Sequence, residues 1–372
     1  MKKNILVIDD SALMRRLLSD IINSDDRFVV EDVATNGLEA LNFLVKDYGK
    51  YDAVIMDINM PKMNGHELLE QLQKHRIKAK VIVVSTVAKE GAIETIRALE
   101  LGAFDFVTKP CSFIDAKSES FSEKILLSLT VATNTVNKAL ITKNTSIVNI
   151  NTNTTKENLI TRNEITLKKK FVKSVANAST KKIVALACST GGPKALQSVV
   201  PYLPANLDAP VLIVQHMPEG FTNSLATRLN EISKINVKEA EHGEIIKKGW
   251  VYIAKGGYQM RVKKLSSSEY QLLVTLEAPR NGLKPCADIM YESLLDTDYD
   301  EITCVILTGM GGDGTKGIKQ LEEKKNIYVI AQDEPTCTVY GMPKVVKEAG
   351  LVDEVQPLTK VQEAITKNVG VR

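Results

Sequence analysis

Cysteine is scarce in this chain of 372 residues: Cys111, Cys188, Cys286, Cys304 and Cys337 form no CxxC pair and are odd in number. A disulfide framework or a zinc cluster is therefore not expected, and all five read as reduced thiols. A strong excess of one charge is missing as well. The net charge of +3 falls short of the concentrated basic surface that nonspecific nucleic-acid binding needs, so no nucleic-acid partner is expected. The N-terminal MKKNILVIDD turns acidic after a short apolar run, and no later stretch approaches the roughly eighteen apolar residues of a membrane span. No signal peptide, no membrane insertion and a cytoplasmic location follow as expectations. Only four histidines occur, His66, His75, His216 and His242, which limits the candidates for a general base. No internal repeat is present.

What the chain does have is a repeated alternation of buried-looking strands and amphipathic helices. NILVID, VVEDVAT, DAVIMDI, AKVIVVS and FDFVTK, separated by helical patterns, predict five short strands in a parallel sheet covered on both faces. The rhythm resumes with KIVALAC, VLIVQ, TCVILTG and IYVIAQ, a second doubly wound, mainly parallel α/β domain. WVYIAKGGYQMRV and EYQLLVTLEA read as an antiparallel hairpin attached to that sheet. Between the two halves, fourteen of the twenty-six residues from 133 to 158 are Thr or Asn, a composition that buries too little apolar surface to offset chain ordering. The basic KKKFVK at 168 to 173 reads as a solvated or interdomain segment. The expected organisation is a first domain at 1–125, a linker at 126–178 and a second domain at 179–372.

The carboxyl ends of parallel strands face one crevice, where sites are commonly built. Asp9, Asp10 and Asp57 end strands of the first domain. Together they would repel unless a cation sat among them, and an oxygen-only cluster suits Mg²⁺. Ser85 and Lys109 end the fourth and fifth strands, supplying the hydroxyl and ammonium that a phosphoryl group on Asp57 would need. Singly, each residue also reads as a solvated strand end or helix cap; the combination favours the site. Asp9-Asp10, Asp57 in DAVIMDINMPKMNG, Ser85 in VIVVSTVAKEG, and Phe106 with Lys109-Pro110 in FDFVTKP resemble the receiver domain of bacterial two-component regulators over about residues 2 to 125. The resemblance implies a histidine kinase as phosphodonor to Asp57. It further implies Mg²⁺ held by Asp10, Asp57 and the carbonyl of Asn59, with Asp9 acting through water, and Ser85 and Phe106 moving on phosphorylation.

In the second domain, VALACSTGGPK places Ser189 at a strand-to-helix turn, where it is either a nucleophile or a helix cap. Its partners decide. His216 follows VLIVQ and precedes Met217-Pro218, at the end of a buried strand, and TCVILTGMGGDGTKG presents Asp313 on a glycine-rich loop free to fold closely against other groups. Asp313 can fix the imidazole, His216 can take and return the serine proton, and Ser189 can attack a carbonyl. The loop lacks the GKS or GKT ending of a Walker motif, so nucleotide binding is disfavoured. Cys188 is a rival nucleophile, though strand alternation turns it into the packing, and Asp333 in VIAQDEPTC is a rival acid. His66 and His75 read as exposed helical residues, and His242 as surface or substrate rim. Amides of Thr190 and Gly191 are oxyanion candidates, with the 309–312 loop as a second source.

CSTGGPKAL, VQHMPEGFTNSLATRLN, GGDG after LTGM and AQDEPTCTVYGMP resemble the catalytic domain of bacterial chemotaxis methylesterases. With the receiver, the whole chain is similar to phosphorylation-regulated protein-glutamate methylesterase and glutamine deamidase enzymes. The resemblance implies that Ser189, His216 and Asp313 hydrolyse glutamate methyl esters on methyl-accepting chemoreceptors with release of methanol, and deamidate receptor glutamines, with no cofactor for the ester step. It also implies recruitment to receptor arrays. One departure stands in NGLKPCADIMYES, where Lys284 and Cys286 replace the family's arginine and serine; Lys cannot reproduce a planar two-pronged arginine contact, so altered substrate orientation is expected. Two other classes compete: a receiver-controlled DNA-binding regulator, which a second domain rich in buried strands fits poorly, and an inactive receptor-binding module, which the intact Ser, His and Asp argue against.

Overall fold

Runs of Val, Ile and Leu covered on both faces give parallel strands, and in the computed structural model, which describes residues 1–86, 88–110, 119–135 and 180–372, they build two such sheets. The first has the order β2-β1-β3-β4-β5, from β1 (Lys3–Ile8), β2 (Phe28–Ala34), β3 (Ala53–Asp57), β4 (Val81–Ser85) and β5 (Asp105–Thr108). Around it lie α1 (Ala12–Asn23), α2 (Gly37–Asp47), α3 (Gly65–Lys74), α4 (Lys89–Glu100) and α5 (Glu119–Ala132). Side chains of Ser11, Asn36 and Asn64 cap the first three helices, satisfying donors that the helix itself cannot.

One boundary is corrected. Helix α5 runs across residue 125, the expected end of the first domain, and Phe121, Ile125, Leu129 and Ala132 are buried in the same core as Leu18 and Phe28. Their spacing of three and four residues makes one apolar helix face, so the first domain continues to about 135 and the segment from 126 onward begins as core. The Thr- and Asn-rich tract from 136, KKKFVK and Cys111 lie outside the described residues.

The second sheet has seven strands, all paired in parallel, in the order β14-β13-β12-β6-β7-β9-β8. The four expected strands are β6 (Lys182–Cys188), β7 (Val211–Gln215), β12 (Glu301–Ile306) and β13 (Ile327–Gln332), and they occupy its centre. Three short ones extend it: β8 (Asn236–Glu239), β9 (Trp250–Ile253) and β14 (Glu354–Gln356). The WVYI segment expected in the hairpin is therefore a strand of the main sheet, and β10 (Gln259–Lys264) pairs with β11 (Tyr270–Thr275) as a separate antiparallel hairpin. Between β9 and β10 lies Gly256, where a Cβ would lie 2.2 Å from the Pro218 carbonyl oxygen, a close approach that requires glycine. Helices α6 (Gly192–Val199), α7 (Phe221–Ile232), α8 (Ala287–Ser293), α9 (Thr315–Lys324), α10 (Met342–Glu348) and α11 (Leu358–Val369) complete the domain.

Residues 1–135 and 181–372 form one compact unit. Helix α4 packs against α6 and α7, and one cluster of buried side chains contains residues of both sheets' layers. Among the described residues no helix is long and apolar enough to cross a membrane.

Candidate active site

Strand β6 ends at Cys188, and the Ser189 amide makes one more sheet-like bond, to the Thr308 carbonyl at 3.0 Å. The chain then turns sharply. Gly191 has φ of 78°, and a Cβ there would sit 2.3 Å from Thr338 Oγ1, so both conformation and space require glycine. Gly192 donates back to the Ser189 carbonyl at 2.7 Å and α6 begins. Among the described residues, the Thr190 and Gly191 amides and the Ser189 hydroxyl make no hydrogen bond. Two free amides beside a free hydroxyl can stabilise an oxyanion formed on that oxygen's target. The 309–312 loop comes close as well: a Cβ on Gly309 would be 2.7 Å from Ser189 Cβ.

His216 follows β7 and pairs with Asp313, Nε2 to Oδ2, at 2.8 Å. The Asp313 carboxylate also accepts from the Ala287 amide at 2.6 Å, the Asp288 and Gly314 amides at 3.0 Å each, and the Cys286 thiol at 3.1 Å. Burial alone would raise its pKa, but the His216 bond and the Ala287 and Asp288 amides outweigh that and hold the carboxyl at about 2. A carboxylate opposite Nε2 keeps the proton on that nitrogen and leaves the lone pair on Nδ1. In the usual triad the two nitrogens have the opposite assignment.

The rivals lie elsewhere. Cys188 is fully buried, burial pushes its thiol well above the ordinary range, and it donates to Gln215 Oε1 at 3.0 Å. Asp333 accepts from the Thr336 amide at 3.3 Å and caps the short turn that follows it. His242 bonds the Val274 carbonyl at 3.0 Å beside the hairpin. His75 is the exposed C-cap of α3, whereas His66, expected to be exposed, is part-buried with Nε2 2.7 Å from the Glu94 carbonyl.

In the first domain, Asp9 is fully buried and Asp57 nearly so. The carboxylate oxygens of Asp9, Asp10 and Asp57 lie within 4.8 Å of one another. Lys109 Nζ reaches Asp57 Oδ2 at 2.9 Å and Asp9 Oδ2 at 3.2 Å. Burial raises the Asp57 carboxyl, and Lys109 partly offsets it. An all-oxygen, strongly acidic donor set with one exposed member fits Mg²⁺. Ser85 donates to the Gly91 carbonyl at 3.1 Å, and Asn59 Nδ2 to Glu94 at 2.9 Å; neither side chain is hydrogen-bonded to Asp57.

Phe106 faces the second domain and stacks on Phe221, with ring centroids 4.7 Å apart. Thr190 Oγ1 donates to Asp105 at 3.1 Å, and Arg228 and Gln197 both donate to Glu100, at 2.7 and 3.1 Å. A cleft of about 180 Å³ between these surfaces is lined by Ser189, Thr190 and His216 on one side and Asp105, Phe106 and Lys124 on the other. Sequence reasoning missed Asp105, Asp288 and Gln215. The available signal was weak: each is a polar residue at the edge of an apolar segment.

Residues 184–365 match the CheB methylesterase family model and residues 5–118 the response regulator receiver domain model. The protein-glutamate methylesterase/protein-glutamine glutaminase 1 of Syntrophomonas wolfei is 41% identical over 98% of each chain. The chain belongs to this methylesterase/glutaminase family. Enzymes of the same designation from Halalkalibacterium halodurans, 40% identical over 98% of this chain and 97% of that one, and from Pyrococcus horikoshii, 38% identical over 99% and 94%, are similar over the same span. Family membership sets the second domain among esterases, which removes the DNA-binding alternative, and gives the first domain a receiver fold typical of Mg²⁺-dependent phosphorylation. It also implies a histidine kinase and methyl-accepting chemoreceptors as partners.

The hydrogen-bond pattern separates the two candidate acids. Asp313→Asn is expected to lower ester hydrolysis, by about 10⁴-fold at most, in a chain that remains folded. Asp333→Asn is expected to stay near wild type. Steady-state rates of the two variants check this, and a crippled Asp333→Asn beside an unaffected Asp313→Asn would exchange the roles.

Proposed function

We propose that the chain hydrolyses glutamate methyl esters on the cytoplasmic helices of chemoreceptors, and deamidates receptor glutamines, with Ser189 as nucleophile, His216 as base and Asp313 as the acid that orients it. The observation that carries this reading is the 2.8 Å His216–Asp313 pair, whose histidine lines the same cleft as a strand-end serine, in a member of this family. Ser189 Oγ attacks the side-chain carbonyl while His216 Nδ1 takes its proton. The oxyanion lies against the Thr190 and Gly191 amides. Collapse breaks the ester C–O bond, and His216 returns the proton to the departing methoxide, releasing methanol. Water, deprotonated by His216, then attacks the acyl-enzyme, giving glutamate and restoring Ser189. Glutamine passes through the same acyl-enzyme with ammonia as leaving group.

Asp57 accepts the phosphoryl group from the kinase. Asp10, Asp57 and the Asn59 carbonyl would hold Mg²⁺, with Asp9 acting through water; the ion neutralises phosphoryl charge when bound, and Lys109 and Ser85 bind the remaining oxygens. The enzyme works in the cytoplasm at receptor arrays. In the unphosphorylated state the receiver covers the substrate face, because the Phe106–Phe221 stack and the Thr190–Asp105 bond sit over the residues that must meet a receptor helix. Phosphorylation shifts a population away from this closed state.

Methanol released from methyl-labelled receptor tests the chemistry. Ser189→Ala is expected to lose nearly all release and Cys188→Ala to keep most of it; equal release by Ser189→Ala and wild type would end the serine mechanism, and no release by wild type would favour a binding module.

Regulation has its own outcome. Residues 179–372 alone are expected to exceed the basal rate of the unphosphorylated full chain, and a stable phosphoryl analogue to activate the full chain but not Asp57→Asn. An unchanged basal rate without the receiver would rule out steric closure.

Burial pushes the Asp105 carboxyl up to about 6 from a free value of 3.8. Protonation therefore favours closure fully below the free value, and that contribution is lost as pH rises through about 6. Lys124 and His216 line the same cleft and are common to both chains in the comparison. The basal activity of the full chain, divided by that of Asp105→Asn, is expected to rise several-fold between about pH 5 and pH 7; a flat ratio would remove Asp105 from the closing equilibrium.

A further inference from the structure

Ser189 and His216 sit on segments that part company. Strands β6 and β7 are paired up to Cys188 and Gln215, and the last rung is the His216 amide on the Cys188 carbonyl at 3.2 Å. Beyond it Ser189 enters the turn to α6 and His216 the loop to α7, so no backbone bond joins them. One side chain does. Gln215, only 2% exposed, donates from Nε2 to the Ser189 carbonyl and to the His216 carbonyl, both at 3.1 Å. Its Oε1 accepts the Cys188 thiol at 3.0 Å. An amide nitrogen carries two protons, and both are engaged by the two residues that the proposed chemistry pairs. Among the described residues, the His216 carbonyl has no other donor. Room is made by Gly192, where a Cβ would stand 1.9 Å from Gln215 Oε1.

We infer that Gln215 is a positioning residue that sets the separation of Ser189 from His216, a reading that rests on the Ser189–His216 pairing proposed above. The Ser189 hydroxyl makes no hydrogen bond among the described residues, so the Ser–His contact does not hold the pair together; the scaffold must. A primary amide suits the task because it offers two coplanar donors and an acceptor from one short side chain. Glutamate offers only acceptors when ionised, methionine offers no donor, and asparagine is one methylene short.

The test uses the full-length protein and a fluorophosphonate probe, which reports Ser189 reactivity without the receptor, alongside kcat and KM on methyl-labelled receptor. Gln215→Met is expected to slow phosphonylation and kcat together by about 10²-fold, the cost of displacing reacting groups by about 1 Å, with KM little changed and the melting temperature measured in parallel. Cys188→Ala leaves both amide donors in place and is expected to react within a few-fold of wild type. Gln215→Glu supplies a second readout should the methionine variant fail to fold: its phosphonylation rate relative to wild type is expected to recover as pH falls, because a protonated carboxyl regains one donor. Wild-type reactivity in a folded Gln215→Met, or a pH-independent ratio for Gln215→Glu, would overturn the inference. A wild-type Ser189 inert to the probe would instead overturn the nucleophile assignment, and a reactive Ser189 without methanol release the substrate reading.

Discussion

The ionised carboxylate of Asp313 is the fixed charge around which the second domain's site is arranged. It takes the first amides of α8, and in return Asp288, in the first turn of α8, accepts from Gly314 at 3.0 Å and Gly317 at 2.9 Å at the start of α9. The two helices thus cap each other, each satisfying donors left over at the other's start. This answers the sequence departure at 284 to 286 in part. The Lys284 carbonyl accepts from Gly257 at 3.2 Å, and Cys286 bears on the acid: its thiol donates to Asp313 at 3.1 Å, with burial pushing the thiol up to about 12. A protonated thiol is a weaker donor than a serine hydroxyl, and the Ala287, Asp288 and Gly314 amides bond the same carboxylate beside it.

Parallel strands create a difficulty where they end, because backbone groups lose ladder partners just where functional residues are placed. Buried glutamines resolve it at the ends of β7 and β13, and a third, Gln259 at the start of the hairpin strand β10, serves the neighbouring 283–286 segment in the same way. Gln332, fully buried, accepts from the Thr308 amide at 2.8 Å and donates to the Thr336 carbonyl at 2.8 Å; Gln259, also fully buried, accepts from the Cys286 amide at 2.9 Å and donates to the Leu283 carbonyl at 3.1 Å. Each amide holds a segment that in turn contacts Ser189 or Asp313. With Gln215, they make the site a property of the strand ends rather than of the loops alone.

Much of this was legible because chemistry and pattern coincided. Ser189, His216 and Asp57 each end or follow an apolar run, and Asp313 sits in a glycine loop after one, so period and residue type marked them. What escaped lacked such a mark. Strands β8 and β14 have only four and three residues, too few for alternation to register. Helix α5 was cut at 125 because its apolar face adjoins the Thr- and Asn-rich tract. Gln215 looked like the polar end of a strand, and Asp105 like one residue of FDFVTK, because their roles depend on distances to Ser189 and Thr190 that no sequence interval encodes.

Asp105 also bears on the proposed release of the receiver from the second domain. Strand β5 is four residues long. One end carries Asp105 and Phe106, which touch Thr190 and Phe221, and Lys109 just beyond the other end holds Asp57. In the proposed regulation, a change in charge at Asp57 reaches the interface through this short segment. The contacts at its near end oppose one another. Stacking of Phe106 on Phe221 favours closure, while the Asp105 carboxylate, already bonded to the Phe106 amide of its own strand, loses solvation and gains across the interface, among the described residues, only the Thr190 hydroxyl. An interface made wholly of apolar contacts would bind the receiver tightly and resist release. In the proposed regulation, a partly desolvated carboxylate beside the Thr190 and Gly191 amides weakens that hold near neutral pH, which brings the closed and open states nearer in free energy and lets one phosphoryl group choose between them.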